Sequence, residues 1–353
     1  MPTAEPLIKV RQLKKYFPVR RGLIAALFSR GQIWVKAVDD VSFDIYKNEV
    51  FVLAGESGCG KTTTGRLLLN LTEPTEGSIT YGNVDLATIS KQEMKALRPK
   101  LQIVFQDPYS SLNPRLSVFD SIAECLEVNH LTANREELTE RVKMAMEDVR
   151  LIPPEDFLYR YPHMLSGGQR QRVVIARAIV SQPEFIVADE PVSMLDASIR
   201  AEILDLLKGL IKKYDLTYLY ITHDLASARY VGNRIAIMYL GRIAEYGPVG
   251  RVIDNPKHQY TAILVSAVPI PDPTLVHTRR APIGEVPSPI NPPAGCRFHP
   301  RCPKADDKCA TEEPPYEQVE KDHYVACWHW FDPKQWEEED KALEKEKSKV
   351  RGK

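Results

Sequence analysis

The stretch Gly55-Glu56-Ser57-Gly58-Cys59-Gly60-Lys61-Thr62 decides the fold, because it matches the phosphate-binding pattern G-x-x-x-x-G-K-[ST]. An apolar run, Val50 to Ala54, precedes it and a helical pattern follows, which is the strand–loop–helix context that the pattern requires. The glycines let backbone N–H groups curl around phosphate oxygens, and a helix N-terminus favours an anion. We expect Lys61 to reach the β- and γ-phosphates, the Thr62 hydroxyl to bind Mg²⁺, Thr63 to adjoin the nucleotide, and Cys59 to be a small filler without a ligand role.

Along the rest of the chain, apolar runs of strand length recur with helical patterns between them, which predicts an α/β fold with a mostly parallel sheet. Residues 7–54 instead alternate apolar and polar side chains, which predicts antiparallel strands, interrupted by a basic insert at 18–32. Residues 117–160 are helix-rich, charged and without a strand pattern, so they indicate a helical insertion. The later strand-like runs are Leu101–Phe105, Phe185–Ala188, Thr217–Thr222 and Arg234–Met238.

Composition limits the class of protein. Lys plus Arg equals Asp plus Glu at 47 each, so the basic excess typical of a nucleic-acid binder is missing. No apolar run approaches the roughly 18–20 residues of a membrane span, and the run at Leu23 to Phe28 also lacks the cleavage site of a signal peptide. The sequence therefore predicts a cytoplasmic chain that acts at a membrane, if it does so, through a partner.

Two carboxylates follow one of the predicted strands directly. Asp189 and Glu190 come after the apolar residues Phe185 to Ala188. In P-loop enzymes an aspartate at this place holds Mg²⁺, here expected through water. Glu190, one residue further, is suited to polarise the attacking water.

The pentapeptide Leu165-Ser166-Gly167-Gly168-Gln169 supplies a second anion site, because Ser166 can cap a helix and the glycines expose backbone N–H groups. If it lies far from Lys61 on one chain, it can still serve a nucleotide held by a second chain. In this order the pentapeptide resembles the signature motif of ABC ATPases.

That resemblance implies a P-loop ABC cassette with a mostly parallel core sheet, an antiparallel β subdomain and a helical subdomain at about 107–165. It implies that Gln106 touches Mg²⁺ and senses the permease, that Asp196 belongs to the D-loop, and that His223 contacts the γ-phosphate. Ser166, Gly168 and Gln169 would bind the second chain's nucleotide. Tyr16 is similar to the aromatic residue that stacks on adenine, and Phe17 adjoins it. The implied catalytic residues are Glu190, His223 and Gln106.

A narrower resemblance lies in residues 105–114, 255–261 and 296–303, which are similar to ATPases of dipeptide and oligopeptide importers. Pro191 to Ser193 resemble the second, F-type subunit of such importers. The family implies a peripheral ATPase at the cytoplasmic face of the cell membrane, which closes head to tail with another ATPase over two ATP molecules. Its implied partners are a paralogous ATPase, two transmembrane permease subunits and an extracytoplasmic solute-binding protein, with no nucleic acid.

Four of the six cysteines crowd near the C-terminus as C-x5-C-x6-C-x17-C, at Cys296, Cys302, Cys309 and Cys327. In a cytoplasmic chain such a group indicates metal, and four thiolates suit either Zn²⁺ or an iron–sulfur cluster. The resemblance to dipeptide-importer ATPases favours a [4Fe–4S] cluster. We expect an ATPase domain at 1–265, a small metal-bound extension at 266–335 and a charged tail at 336–353.

Three alternatives compete with a peptide importer. Families of this kind also import nickel or oligosaccharides, and the sequence of the ATPase does not identify the transported solute. An ABC ATPase acting on DNA or ribosomes would carry coiled-coil insertions or two cassettes, and neither pattern is present. A non-hydrolysing subunit would have a damaged phosphate loop, signature or Glu190, and all three are intact.

Overall fold

Two β-sheets and a set of helices form the protein in a computed structural model, which describes residues 5–19, 32–268 and 282–330. Most of the basic insert, the apolar run at 23–28, part of the proline-rich stretch and the charged tail lie outside the described residues. The strands are β1 (Ile8–Pro18), β2 (Trp34–Ile45), β3 (Val50–Ala54), β4 (Glu76–Tyr81), β5 (Val84–Asp85), β6 (Leu101–Val104), β7 (Phe185–Asp189), β8 (Thr217–Thr222), β9 (Arg234–Tyr239), β10 (Arg242–Pro248), β11 (Glu317–Glu320) and β12 (His323–Val325).

The helices separate these strands. They are α1 (Lys61–Leu68), α2 (Lys91–Leu97), α3 (Pro108–Ser111), α4 (Val118–Val128), α5 (Arg135–Asp148), α6 (Gly167–Ile179), α7 (Ala197–Tyr214), α8 (Leu225–Val231), α9 (Val249–Asp254), α10 (Gln259–Ser266) and α11 (Asp307–Thr311). Within the described ranges, no helix is both long and apolar enough to cross a membrane.

The main sheet has eight strands in the order β11-β12-β10-β9-β3-β8-β7-β6. The run from β9 to β6 is parallel, as the sequence predicts, whereas β10, β12 and β11 are added antiparallel at one edge. Strand β3 is buried on both faces, with Val52 in the helix-facing core and Leu53 in the opposite core. In such a sheet, ligands bind beyond the carboxyl ends of the parallel strands.

The second sheet is antiparallel, in the order β2-β1-β4-β5, which confirms the prediction from the alternating residues. Its inner face, with Ile8, Val10 and Val41 fully buried, packs against the main sheet. The stacked rings of Phe43 and Phe51, 4.9 Å apart, join the two sheets.

Helices α3, α4 and α5 lie between β6 and α6, in the span where the sequence predicts a helical insertion. Ile122 on α4, Val142 on α5 and Val173 on α6 are buried in a shared core. Ser117 and Asp120 form a capping box that fixes the start of α4, because each satisfies a free N–H group of the first turn.

The C-terminal segment is built into the main sheet. Strand β12 pairs with β10, which would otherwise leave an open sheet edge, and β11 pairs with β12. Phe298 is 2% exposed and belongs to the helix-facing core. The segment therefore folds on the core of the cassette. The metal that the sequence predicts for it is not confirmed by this architecture.

Candidate nucleotide site and four-cysteine cluster

The loop between β3 and α1 needs glycine at two positions. Gly55 has φ 152°, and a Cβ there would lie 2.2 Å from the carbonyl oxygen of Met238. Gly60 has φ 112°, and its Cβ would lie 2.1 Å from the carbonyl oxygen of Ala37. A side chain at either position would collide with backbone, so these glycines let the loop turn tightly above the sheet.

Lys61 begins α1 with its side chain folded back over the loop. Its ammonium donates hydrogen bonds to the carbonyl oxygens of Gly55 at 2.8 Å and Glu56 at 2.9 Å. The positive charge therefore points into the loop, where the first N–H groups of the helix are also unpaired. Cys59 is buried, and burial raises the pKa of its thiol. Both observations agree with the expected role of Cys59 as a small packing residue.

Thr62 and Asp189 meet at the ends of neighbouring elements. The Thr62 hydroxyl donates to an Asp189 carboxylate oxygen at 3.1 Å. Asp189 is 6% exposed, and burial raises the pKa of its carboxyl. A hydroxyl and a carboxylate side by side are the oxygen donors that Mg²⁺ takes from a P-loop protein, so both residues fit this ion.

Glu190 is the centre of the predicted catalytic group. Gln106 donates from its side-chain amide to a Glu190 carboxylate oxygen at 3.0 Å, and His223 Nδ1 lies 3.1 Å from the same oxygen. Glu190 has φ 47°, a left-handed conformation that is uncommon for a side chain of this size. Its N–H group is held by the carbonyl oxygen of Ile221 at 2.9 Å. The structure brings together the three residues predicted to be catalytic.

These groups surround a cavity of about 620 Å³. Val35 and Ala37 on β2 form part of its wall, and so do Leu264 and Pro289, which the sequence analysis missed. The N–H group of Lys36 donates to the carbonyl oxygen of Pro289 at 3.0 Å, which ties the C-terminal segment to β2. Its other lining residues are Gly55, Glu56, Ser57, Gly58, Gly60, Lys61, Thr62, Thr63, Gln106, Glu190 and His223.

The strand pairing decides between the two aromatic residues at the end of β1. Phe17 lies opposite Val35, and Tyr16 lies opposite Lys36. Opposed residues share a face of the sheet, and successive residues face opposite sides. Val35 lines the cavity, whereas the Tyr16 hydroxyl donates to Asp39 and the Tyr16 ring lies beneath the Lys36 ammonium. The register therefore puts Phe17, and not the predicted Tyr16, on the sheet face of Val35, while neither aromatic residue is itself among those that line the cavity.

The signature residues lie apart from this cavity. Ser166 caps α6 by accepting a hydrogen bond from the N–H group of Gln169, and the Gln169 side chain accepts one from the Ser166 N–H group. Ser166 is exposed, and Gly168 lies in the first turn of the helix. Asp196 stands at the N-cap position of α7 without a capping hydrogen bond from its side chain, and it is exposed as well. None of these residues is among those that line the cavity within the described chain.

The four C-terminal cysteines share one partly buried environment. Burial, with smaller contributions from the neighbouring thiols, raises the pKa of Cys296 to about 11 and that of Cys327 to about 12. The N–H group of Cys296 donates to the carbonyl oxygen of Cys309 at 2.9 Å. All four residues are described, and no three of their sulfur atoms lie within 4.8 Å of one another.

The nearby histidines have other contacts. His323 is fully buried and its Nε2 lies 2.7 Å from a Glu245 oxygen, and His299 Nδ1 lies 2.9 Å from the Cys296 carbonyl oxygen. His329 lies 2.8 Å from Asp306. Asp306, Cys309 and His329 form the only group within the described ranges whose possible ligand atoms are all within 4.8 Å of each other.

Comparison with protein families gives two matches along the chain. The ABC transporter family matches residues 38–193, and the oligopeptide/dipeptide transporter C-terminal region matches residues 244–309. The second match contains three of the four clustered cysteines.

Two relatives from Bacillus subtilis cover nearly the whole chain. YkfD, whose name describes an oligopeptide transport ATP-binding protein, is 46% identical over 324 residues, which is 91% of this chain and 95% of the relative. The oligopeptide transport ATP-binding protein AppF is 44% identical, over 92% of this chain and 97% of its own length.

Solved structures resemble the cassette portion. A dimer of the ATP-binding cassette MJ0796 with ADP and Pi is 29% identical, with a TM-score of 0.60, and covers 69% of this chain and 98% of its own. The structure of cbiO1 from Clostridium perfringens is 25% identical, also with a TM-score of 0.60, and covers 73% of this chain and 93% of its own.

Proposed function

The chain belongs to the family of oligopeptide transport ATP-binding proteins of ABC transporters, and from that premise we propose how its site works as the ATPase of a peptide importer. It is an ATPase coupled to transport. The observation that carries the proposal is the convergence of Gln106 and His223 on one Glu190 oxygen, beside the phosphate loop. This is the arrangement that hydrolysis of a bound triphosphate needs.

Each residue has a role in hydrolysis. Lys61 and the loop N–H groups bind the phosphates of ATP. Thr62, Asp189 and Gln106 would hold Mg²⁺, which would supply neutralisation of the charge that develops on the phosphates. Glu190 polarises the attacking water, and His223 contacts the γ-phosphate on the other side. Phe17 takes the adenine-stacking role, since it lies opposite Val35, which lines the cavity.

The ATP site is completed by a second chain. Ser166, Gly168 and Gln169 lie outside the cavity that holds Lys61, and Ser166 is exposed at the start of α6. In the head-to-tail arrangement these residues, with Asp196, face the nucleotide of a partner ATPase. The partner's own signature in turn covers the nucleotide at Lys61.

The transporter partners follow from this role. The helical region of α3, α4 and α5 carries the groove that receives a coupling helix of the permease, whose two transmembrane subunits place the chain at the cytoplasmic face of the membrane. The chain, as the F-type subunit, and a paralogous ATPase close over two ATP molecules, and an extracytoplasmic solute-binding protein delivers di- or oligopeptides. No nucleic acid takes part.

The four cysteines hold a structural [4Fe–4S] cluster in this proposal. Tetrahedral zinc with Zn–S bonds of about 2.3 Å would bring all four sulfurs to roughly 3.8 Å from one another. The observed sulfurs share one environment but no three of them come within 4.8 Å, and the resemblance of this segment to dipeptide-importer ATPases is what favours the cluster over zinc. Iron, sulfide and zinc analysis after anaerobic purification tests the assignment, and stoichiometric zinc without iron would replace the cluster by a zinc site.

Reconstitution tests the transport role. The chain is assembled with its partner ATPase and permease in liposomes, with ATP on the side of the ATPases and labelled peptide with binding protein on the other. We expect ATP-dependent uptake of peptide that Lys61→Ala abolishes. Uptake of nickel or an oligosaccharide without uptake of peptide would replace peptide as the proposed substrate. ATP hydrolysis that is uncoupled from any uptake would contradict the proposed role as an importer ATPase.

A further inference from the structure

One buried arginine of the C-terminal segment reaches the phosphate loop. Arg301 has a side chain only 6% exposed, and its two terminal nitrogens lie 2.8 and 3.1 Å from the two carboxylate oxygens of Glu56. Paired hydrogen bonds of this kind fix orientation as well as distance. Glu56 is the second residue of the phosphate loop and lines the cavity.

Aromatic side chains hold this contact in place. The Arg301 guanidinium lies 3.3 Å from the Tyr239 hydroxyl and 5.8 Å from the ring centres of Tyr239 and Phe298. The N–H group of Glu56 donates to the Tyr260 hydroxyl at 2.8 Å. Both the backbone and the side chain of Glu56 are therefore gripped from the C-terminal third of the chain.

We propose that Arg301 is a positioning residue of the ATP site, which neutralises Glu56 and thereby keeps the phosphate loop receptive to a triphosphate. This inference rests on the proposed binding of ATP at residues 55–62. A carboxylate on that loop faces a ligand of the same sign, and in a partly buried site such repulsion is poorly screened. Arg301 cancels the charge and, because it donates two hydrogen bonds, holds the carboxylate turned toward itself.

The contact also links the segment that carries the clustered cysteines to the ATP site. Arg301 immediately precedes Cys302, and its carbonyl oxygen accepts a hydrogen bond from the N–H group of Ile283 at 3.2 Å. The segment that carries the clustered cysteines therefore supplies the positive charge that neutralises Glu56 in the phosphate loop. ATP binding then depends on this segment, although the segment lies outside the sequence motifs for ATP.

A double-mutant cycle separates this role from a merely structural one. The full-length chain is compared with Arg301→Ala, Glu56→Gln and the double variant by equilibrium binding of ATP with Mg²⁺, with melting temperature and metal content measured on every sample. We expect Arg301→Ala to weaken ATP binding about tenfold, a typical size for a coupling between sites. In the Glu56→Gln background, where the repelling charge is gone, the same change costs less than about threefold.

Two further variants serve as controls. Glu313→Gln removes an ion pair with Arg242, 2.6 Å long, that also joins the C-terminal segment to the cassette but does not touch the phosphate loop. We expect it to leave ATP affinity unchanged. Arg301→Lys keeps the charge but loses the paired geometry, so its affinity should lie between those of the wild type and Arg301→Ala.

The outcomes are distinct. Wild-type ATP affinity in Arg301→Ala, or an equal loss in both Glu56 backgrounds, would overturn the inference while leaving the proposed function intact. A wild-type chain that binds no ATP would overturn both. If Arg301→Ala does not fold, Arg301→Gln, which keeps a hydrogen-bonding side chain without the charge, takes its place in the same cycle with the same expected direction.

Discussion

The nucleotide site and the four-cysteine cluster differ in how their functional side chains are held. In the nucleotide site, Lys61, Thr62 and Glu190 already bond to protein atoms, at the ends of buried parallel strands. In the cluster, Cys296, Cys302, Cys309 and Cys327 come from widely spaced positions and no three sulfur atoms are within 4.8 Å. The side chains of the first site are already held by protein atoms, whereas the four thiols would be drawn together only by the proposed metal group.

This difference predicts separate consequences for mutation. A change in the nucleotide site alters the rate of chemistry and leaves the fold as it is, because strands and hydrogen bonds hold the neighbouring groups. A change among the four cysteines should alter stability if they hold the proposed cluster, because a metal bound only by the folded chain contributes directly to folding.

Replacing Glu190 has the largest expected effect. Glu190→Gln should slow ATP hydrolysis by about 10²–10⁴-fold, the usual size for a lost general base, while ATP binding and melting temperature stay near wild type. Turnover is measured in the permease-bound complex and binding on the same sample. Near-normal turnover would remove Glu190 from its role, and a large loss of stability would break the contrast between the two sites.

Replacing one clustered cysteine tests the comparison at the second site, the four-cysteine cluster. With the proposed cluster bound, Cys302→Ser should lose most of the metal and destabilise the chain by about 3 kcal/mol or more, since a metal that binds only the folded chain adds its binding free energy to folding. Cys125→Ser is the control, because Cys125 is a partly buried thiol of α4 outside the cluster. Full metal content with unchanged unfolding in Cys302→Ser would remove Cys302 from the ligand set.

Acid should destabilise the junction between the two regions through His258. His258 is buried, and burial lowers its pKa from 6.5 to about 4. The unfolded chain therefore binds more protons between these values, so stability is complete above about pH 6.5 and falls as the pH drops towards 4, by up to about 3 kcal/mol.

Unfolding by urea between pH 7 and pH 4 measures this loss, with His258→Gln as the comparison. The Nδ1 atom of His258 accepts a hydrogen bond from the N–H group of Tyr260, and a glutamine side-chain oxygen can do the same. We expect a flatter pH dependence in the variant. Identical pH profiles would show that His258 is not the titrating group.

The smallest effect concerns the aromatic residue at the end of β1. Phe17→Ala should weaken ATP binding about tenfold, as expected for loss of a base–aromatic stack. Tyr16→Phe removes only the hydroxyl bonded to Asp39 and should leave ATP affinity close to wild type. The reverse result, with Tyr16→Ala costing affinity and Phe17→Ala not, would return the role to Tyr16.

The parts that sequence predicted well share a physical origin. Strands β3 and β8 occur where continuous apolar runs lie between polar turns, since both of their faces are buried. Asp189, Glu190 and His223 follow such strands directly, so their meeting at one sheet edge could be expected. The antiparallel sheet likewise showed its alternating pattern, because one face is buried and the other is wet.

The parts that were missed depend on contacts between distant segments. Strand β11, Glu317–Glu320, is short and half exposed, so it has no apolar pattern. Whether Tyr16 or Phe17 faces the cavity depends on the register of β1, which shifts several times along its pairing with β2. The pairing of Arg301 with Glu56 joins residues 245 positions apart, and no local sequence pattern around either residue predicts the other.

The most direct test of the account is ATP turnover per protomer as a function of protein concentration, for the chain alone and with its partner ATPase and permease. Ser166 lies outside the cavity that contains Lys61, and in the proposed head-to-tail arrangement each site takes its signature from another chain. We predict poor turnover for the dilute chain, with a rise on adding the partners. Full turnover that is independent of concentration in a chain shown to be monomeric would contradict the account.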